Sequence, residues 1–191
     1  MKSSNHASML VTIVVSALLL ISCLLPGMIP LTPIPETPMP VMEKNADTVI
    51  KVLKGKDWYP LRSLAQEQYT AEDFAQPDTL TFTVNIIDDK PTYFSYGWCA
   101  VDEETLRQNF EHIDVKLYFN DKELGDDVVH HLTFTSPDKL LCLDFGALIS
   151  EWPDGEYKLE AVATFNEKIN DGLADFEAGE YKSEYNVTVE K

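Results

Sequence analysis

The side chains of this sequence that could do chemistry fall into four groups, and their spacing narrows what each could do. Beyond residue 22, histidine occurs only at His112, His130 and His131. His130 and His131 are adjacent, so on a strand they face opposite ways and cannot chelate one ion together. No His-Glu-x-x-His or paired-cysteine spacing for zinc occurs. No Gly-x-Ser-x-Gly elbow accompanies the serines, and the eight glycines form no phosphate-cradling loop. No constellation for hydrolysis or group transfer stands out, and the chain reads as a non-enzyme. Oxygen donors are denser. Asn120, Asp121, Glu123, Asp126 and Asp127 crowd one loop, and Asp171, Asp175, Glu177 and Glu180 precede the final strand. Carboxylates at this density could hold Ca²⁺, the one cofactor suggested, although neither loop carries the D-x-[DN]-x-[DN]-G pattern and hydrated turns are the plainer account.

The third group is aromatic. Tyr93, Phe94, Tyr96 and Trp98 form the densest such run, and on a strand Phe94, Tyr96 and Trp98 share one face. Exposed, Tyr96 and Trp98 would make a platform for stacking on sugar rings; turned inward they would be core, the commoner fate of such faces. The fourth group is Cys99 and Cys142, which could pair in an oxidising compartment. Cys99 shares its strand face with Tyr93, Ser95 and Gly97, and Cys142 shares its face with Leu140 and Asp144. Both are the less apolar faces. A bridge pinning two sheets through the core is therefore not expected. Any bridge should join neighbouring strands on an outer face, or a strand end to a loop.

The elements that must position these groups follow from periodicity. From residue 79 the period is two. Leu80, Phe82, Val84 and Ile86 alternate with polar residues, as do Ile113 to Phe119, Tyr157 to Phe165 and Tyr181 to Val189, and less regular strands lie near 92–100, 128–136 and 139–145. Asp88-Asp89-Lys90-Pro91, Pro153-Asp154-Gly155 and Asn170-Asp171-Gly172 are among the turns between them. Seven short strands with one wet face each predict a mainly β fold, an antiparallel β-sandwich. Residues 102–112 read as a helical turn inserted between strands. Residues 45–78 read as short helices: Asn45 or Asp47 capping Val49, Ile50 and Leu53, Asp57 capping Leu61 to Ala65, and Thr70 with Asp73 as a capping box.

Before residue 45 the composition changes. From Leu24 to Pro40, prolines stand at 26, 30, 33, 35, 38 and 40, a density that excludes helix and ladder pairing and favours an extended tether. An apolar run from Met9 to Ile21 precedes it, shorter than the ~20 residues needed to span a bilayer. Lys and Arg total 15 against 32 Asp and Glu, a net charge of −17. Such a chain lacks the basic patches that nucleic acid or anionic headgroups require.

Leu20-Ile21-Ser22-Cys23 resembles the lipobox of bacterial lipoproteins, with Lys2 and the apolar run as the signal before it. The resemblance implies an export signal over 1–22 and acylation at Cys23; composition and periodicity divide the rest into a proline-rich tether over 23–44, a helical segment over 45–78 and a β-domain over 79–191. It places the protein outside the cytoplasmic membrane at the cell envelope, held by a lipid anchor. The alternative anchor is a single transmembrane helix from about Ala7 to Leu25. WPDGEYKLEAVATF and GEYKSEYNVTVE resemble the last strands of bacterial immunoglobulin-like or fibronectin-III-like modules, without the Cys…Trp…Cys order of true immunoglobulin domains. VIKVLKGKDWYPLRSL resembles the opening helices of NTF2-like cones, a resemblance that implies an α+β cone with a small enzyme site. Together these predict a non-catalytic envelope lipoprotein whose acidic sandwich binds a ligand or protein partner or serves as an envelope accessory, with a carbohydrate-binding module as the alternative and a small NTF2-like enzyme as the remote one.

Overall fold

The computed structural model describes residues 38–191. In chain order it contains β1 (Val41–Met42), α1 (Ala46–Lys54), β2 (Tyr59–Pro60), a 3-10 turn at Leu61–Leu64 and α2 (Ala71–Phe74), then β3 (Thr79–Ile86) and β4 (Thr92–Ala100). After α3 (Glu103–Asn109) come β5 (Ile113–Phe119), β6 (Lys122–Glu123), β7 (His130–Thr135), β8 (Leu141–Ser150) and β9 (Gly155–Phe165). A small ribbon of β10 (Ile169–Asn170) and β11 (Asp175–Phe176) precedes β12 (Gly179–Val189). All seven runs read as strands from their alternation are strands, and the molecule is mainly β.

Two five-stranded sheets form. One has the order β3-β12-β9-β5-β6; the other runs β1-β8-β4-β2, with β7 also paired to β8. Their facing sides share one core, in which Phe82, Leu117, Phe119, Leu159 and Val187 of the first sheet meet Phe94, Ala147 and Ile149 of the second. Phe82 stacks on Tyr185 at 4.8 Å between centroids. The sheets are mixed rather than wholly antiparallel. β3 runs parallel to β12, from Thr79 opposite Lys182 to Ile86 opposite Val189, and β2 runs parallel to β4. Alternation dictates which side chains face inward but not which strand lies alongside. Strands separated by long connections are free to pair in parallel, whereas a two-residue hairpin is not.

The local signals before β3 act as read, with one exception. Asn45 Oδ1 accepts from the Thr48 amide at 3.1 Å and Gly55 closes α1. Asp73 accepts from the Thr70 amide at 2.7 Å. Beyond β4, Asp102 caps α3 through the Thr105 amide at 2.8 Å. Asp57 caps nothing: it is ion-paired with Lys90 at 3.2 Å. Pro60 disfavours a helical conformation at the residue before it, so Tyr59–Pro60 forms β2, and only Leu61–Leu64 turns. The NTF2-like cone is not the architecture. Among the described residues the α-helices are 9, 4 and 7 residues long, too short to line a cone, and apart from the β10–β11 ribbon the strands divide between two sheets.

Candidate functional site

The two sheets have very different outer faces, and the face formed by β4, β8 and β7 carries the site. Pairing aligns its side chains in rows: Leu148 beside Tyr93, then Gly146 beside Ser95 and His130, then Asp144 between Gly97 and Leu132, then Cys142 between Cys99 and Phe134. Helix α1 lies over the first row. Val49, Tyr93 and Leu148 form a buried cluster with Val52, Leu53, Trp58 and Leu132 against it. Trp58 donates its indole N–H to the Leu53 carbonyl at 3.2 Å and meets the Tyr93 ring edge-on at 6.0 Å.

Two glycines inside these strands make room for polar groups. A Cβ on Gly146 would lie 2.3 Å from the Tyr93 Cζ and Oη, so the phenol ring lies over that glycine. A Cβ on Gly97 would lie 2.7 Å from Asp144 Oδ1. Glycine within a strand marks such close approach. The carboxyl thus sits in a slot, flanked by the Tyr93 and Ser95 hydroxyls and only 8% exposed. Burial pushes Asp144 up to about 6, against the lowering pull of those two hydroxyls. Burial, together with the Asp144 charge, also pushes Tyr93 up. The Tyr93 hydroxyl is fully covered yet has no hydrogen-bond partner in good geometry, and among the described residues no cationic side chain is ion-paired with Asp144.

Above this slot opens a groove of about 790 Å³, walled by Ile50, Leu53, Trp58, Leu132 and Phe134, with Tyr93, Ser95 and Asp144 at its floor and Lys54, His131 and Thr133 also along it. Phe134 is 48% exposed, a large apolar surface presented to water at the groove's rim. An apolar wall over a few convergent polar groups, one with a shifted pKa, is the common form of a small-molecule site.

The residues singled out from sequence are placed as follows. Cys23 lies outside the described residues, among which no helix is long and apolar enough to cross a membrane. Cys99 and Cys142 are bonded across β4 and β8, Cα atoms 4.0 Å apart, on the same outer face as Asp144. Tyr96 and Trp98 do not form a platform. Their face is the core side of β4, where Trp98 is 8% exposed and packs on Phe165 and Phe176 at 5.1 and 4.7 Å, and Tyr96 is half-buried beside it. The acidic loops do not converge. Asp121 pairs with Lys158, Glu123 with Lys116, Asp127 with Lys44, and Asp175 and Glu177 with Lys168. Asp171 accepts from the Leu173 and Ala174 amides within its turn, and Asp126 borders an open cleft between the sheets. Among the described residues no three His, Cys, Asp or Glu side chains gather as metal ligands. His130 donates to the Glu43 carbonyl at 2.8 Å and His131 packs on Phe145, on opposite faces of β7.

Asp144, Ser95 and the Tyr93 hydroxyl were not singled out as a site by their sequence pattern, because an aspartate alternating with Cys142 and Gly146 reads as a wet face. The available signal was Gly97 and Gly146 within strand patterns. A scan against family models matches no family to this chain, and a search of curated proteins finds no relative.

Proposed function

We propose that this protein is an exported, lipid-anchored, non-catalytic binding module. In this reading residues 1–22 direct export, Cys23 carries the lipid, the proline-rich stretch before β1 holds the domain off the membrane, and an immunoglobulin-like sandwich presents a ligand groove. The expected tether over 23–44 is shortened because Val41–Met42 pairs with β8. The observation that carries the binding role is the apolar groove over Asp144, Tyr93 and Ser95. The strand order supports the immunoglobulin-like reading: β4-β8-β7 in one sheet faces β5-β9-β12 in the other, the arrangement of the B-E-D and C-F-G strands of that fold. The Cys99–Cys142 bond departs from it by joining neighbours within one sheet. The same bond agrees with a compartment that oxidises thiols, and the lipobox supplies the anchor.

Two measurements test this reading. Cys23→Ser should abolish labelling by radioactive palmitate and leave the precursor uncleaved; processing to the same mass without label overturns the anchor. The full chain, held in phosphatidylcholine nanodiscs, should bind 2-phenylethanol, a neutral aromatic probe, with saturation in calorimetric titration. Phe134→Ala should weaken that binding severalfold. Heat no different from that of empty nanodiscs overturns the groove as a binding site.

A further inference from the structure

The ligand's chemistry can be read from the groove floor, an inference that rests on the groove being a binding site. We propose that the groove takes a small amphiphilic amine, its ammonium group held by Asp144, Tyr93 and Ser95 and its apolar body laid against Trp58, Leu132 and Phe134.

Asp144 is a carboxylate kept from water without a cation, on a central strand whose neighbours are both paired. A buried charge in that state is costly, and a partner charge that also fills the remaining lone pairs relieves the cost. An ammonium group has three donors and no acceptor. The floor offers matching acceptors: the carboxylate, the buried Tyr93 hydroxyl, which lies beside Asp144 but makes no hydrogen bond in good geometry, and Ser95 beside them. A neutral alcohol would leave the charge uncompensated, and a carboxylate ligand would meet it head on.

The other charged and titratable groups around the groove do not reverse this preference. Lys54 on α1 and His131 on β7 border the groove, but both are exposed, where water and salt screen them, and the His131 ring packs on Phe145 on the other face of β7. His130 shares the Asp144 face of β7, with its Nε2 bonded to the Glu43 carbonyl at 2.8 Å. Lys54 also belongs, with Leu53, to the last turn of α1, whose carbonyl end carries partial negative charge. The chain's net charge of −17 adds a long-range field that favours cations. Burial pushes Asp144 up to about 6, so amine binding should release a proton below that pH and strengthen as the pH rises through it.

Three probes with the same phenyl body separate the possibilities: 2-phenylethylamine, 2-phenylethanol and 3-phenylpropanoate, titrated into the full chain in phosphatidylcholine nanodiscs at pH 7.5. The amine should bind about tenfold tighter than the alcohol, with the propanoate weakest. At pH 5 the amine should lose about tenfold while the alcohol is unchanged. Asp144→Asn should bring amine and alcohol to within about twofold of each other. Tyr93→Phe, which removes only the hydroxyl, should weaken the amine alone, and an intact Cys99–Cys142 bond and unchanged circular dichroism verify the fold of each variant. If alcohol and amine bind alike, or the propanoate binds best, the amine assignment is overturned while the groove remains a binding site. If none of the three binds at millimolar concentration, the groove reading falls with it.

Discussion

Among the described residues Asp144 and Glu160 are the two buried carboxylates, one on the outer face of each large sheet, each 8% exposed, and they are shifted in opposite directions. Burial would raise Glu160 as it raises Asp144, but hydrogen bonds and charge from Lys182 and Lys158 outweigh it and bring Glu160 below the ordinary range. Lys182 contacts it directly, Lys158 lies 3.3 Å away, and Glu184 lies 3.4 Å from Lys158. That face is a self-contained ladder of compensated charge. The face carrying Asp144 has a helix, a disulfide and an apolar groove, and its carboxylate is given hydroxyls instead of a cation. The contrast separates a charge that helps hold the fold together from one held ready for something else.

The comparison can be broken in four places. The largest effect should come from the covalent staple beside Asp144. Replacing Cys99 and Cys142 together by alanine opens a loop between residues 43 apart in sequence, for which chain entropy predicts a loss of about 4 kcal/mol. Urea unfolding of the oxidised protein and the double variant measures it. Gly146→Ala should cost about 3 kcal/mol, at the upper end of overpacking, because the new methyl meets a Tyr93 ring already packed against Trp58 and Leu148. The same melts should show that Tyr93 has lost its place over the groove, through a changed near-ultraviolet dichroism.

The two acids then give effects of opposite sign. Asp144 binds its proton more tightly folded than unfolded, so its contribution improves as the pH falls from about 6 towards about 4. Asp144→Asn should therefore stabilise the protein at pH 7 by about 2 kcal/mol and remove that slope. Glu160 has a lowered folded pKa, so its contribution is present above the unfolded value and is lost as the pH falls through the folded one. Glu160→Gln should destabilise by about 1 kcal/mol at pH 7, since the lysines are partly exposed and keep Glu184. Equal signs for the two variants would remove the distinction between the faces.

The sequence carried the strands well and the site poorly, for one physical reason. Alternation is local, so Phe82-Val84-Ile86 or Tyr185-Val187-Val189 declares its inward side without knowledge of a partner. Capping is local too, which is why Asn45 and the Thr70–Asp73 box were legible. The groove is assembled from distant pieces. Asp144 is buried because Tyr93 reaches over Gly146 and because α1, far back in the chain, roofs the same face. Parallel pairing of β3 with β12 is equally invisible, since nothing in either strand's pattern names its neighbour. Asp57 was misread because a capping residue type was weighed without Pro60 three positions later, which holds the intervening chain extended.

The place of β12 has a consequence in time. It is the last strand in chain order, yet it lies inside its sheet, with β3 and β9 on either side along eight and eleven residue pairs. Until β12 is available, β3 has no neighbour in that sheet and the core beneath both strands stays open to water. Closing the β3–β12 pair joins segments about a hundred residues apart, the kind of non-local contact that sets a slow folding rate. A chain delivered in order from its N-terminal end would leave β3 unpaired in that sheet until β12 emerged, and the sheet would close only then.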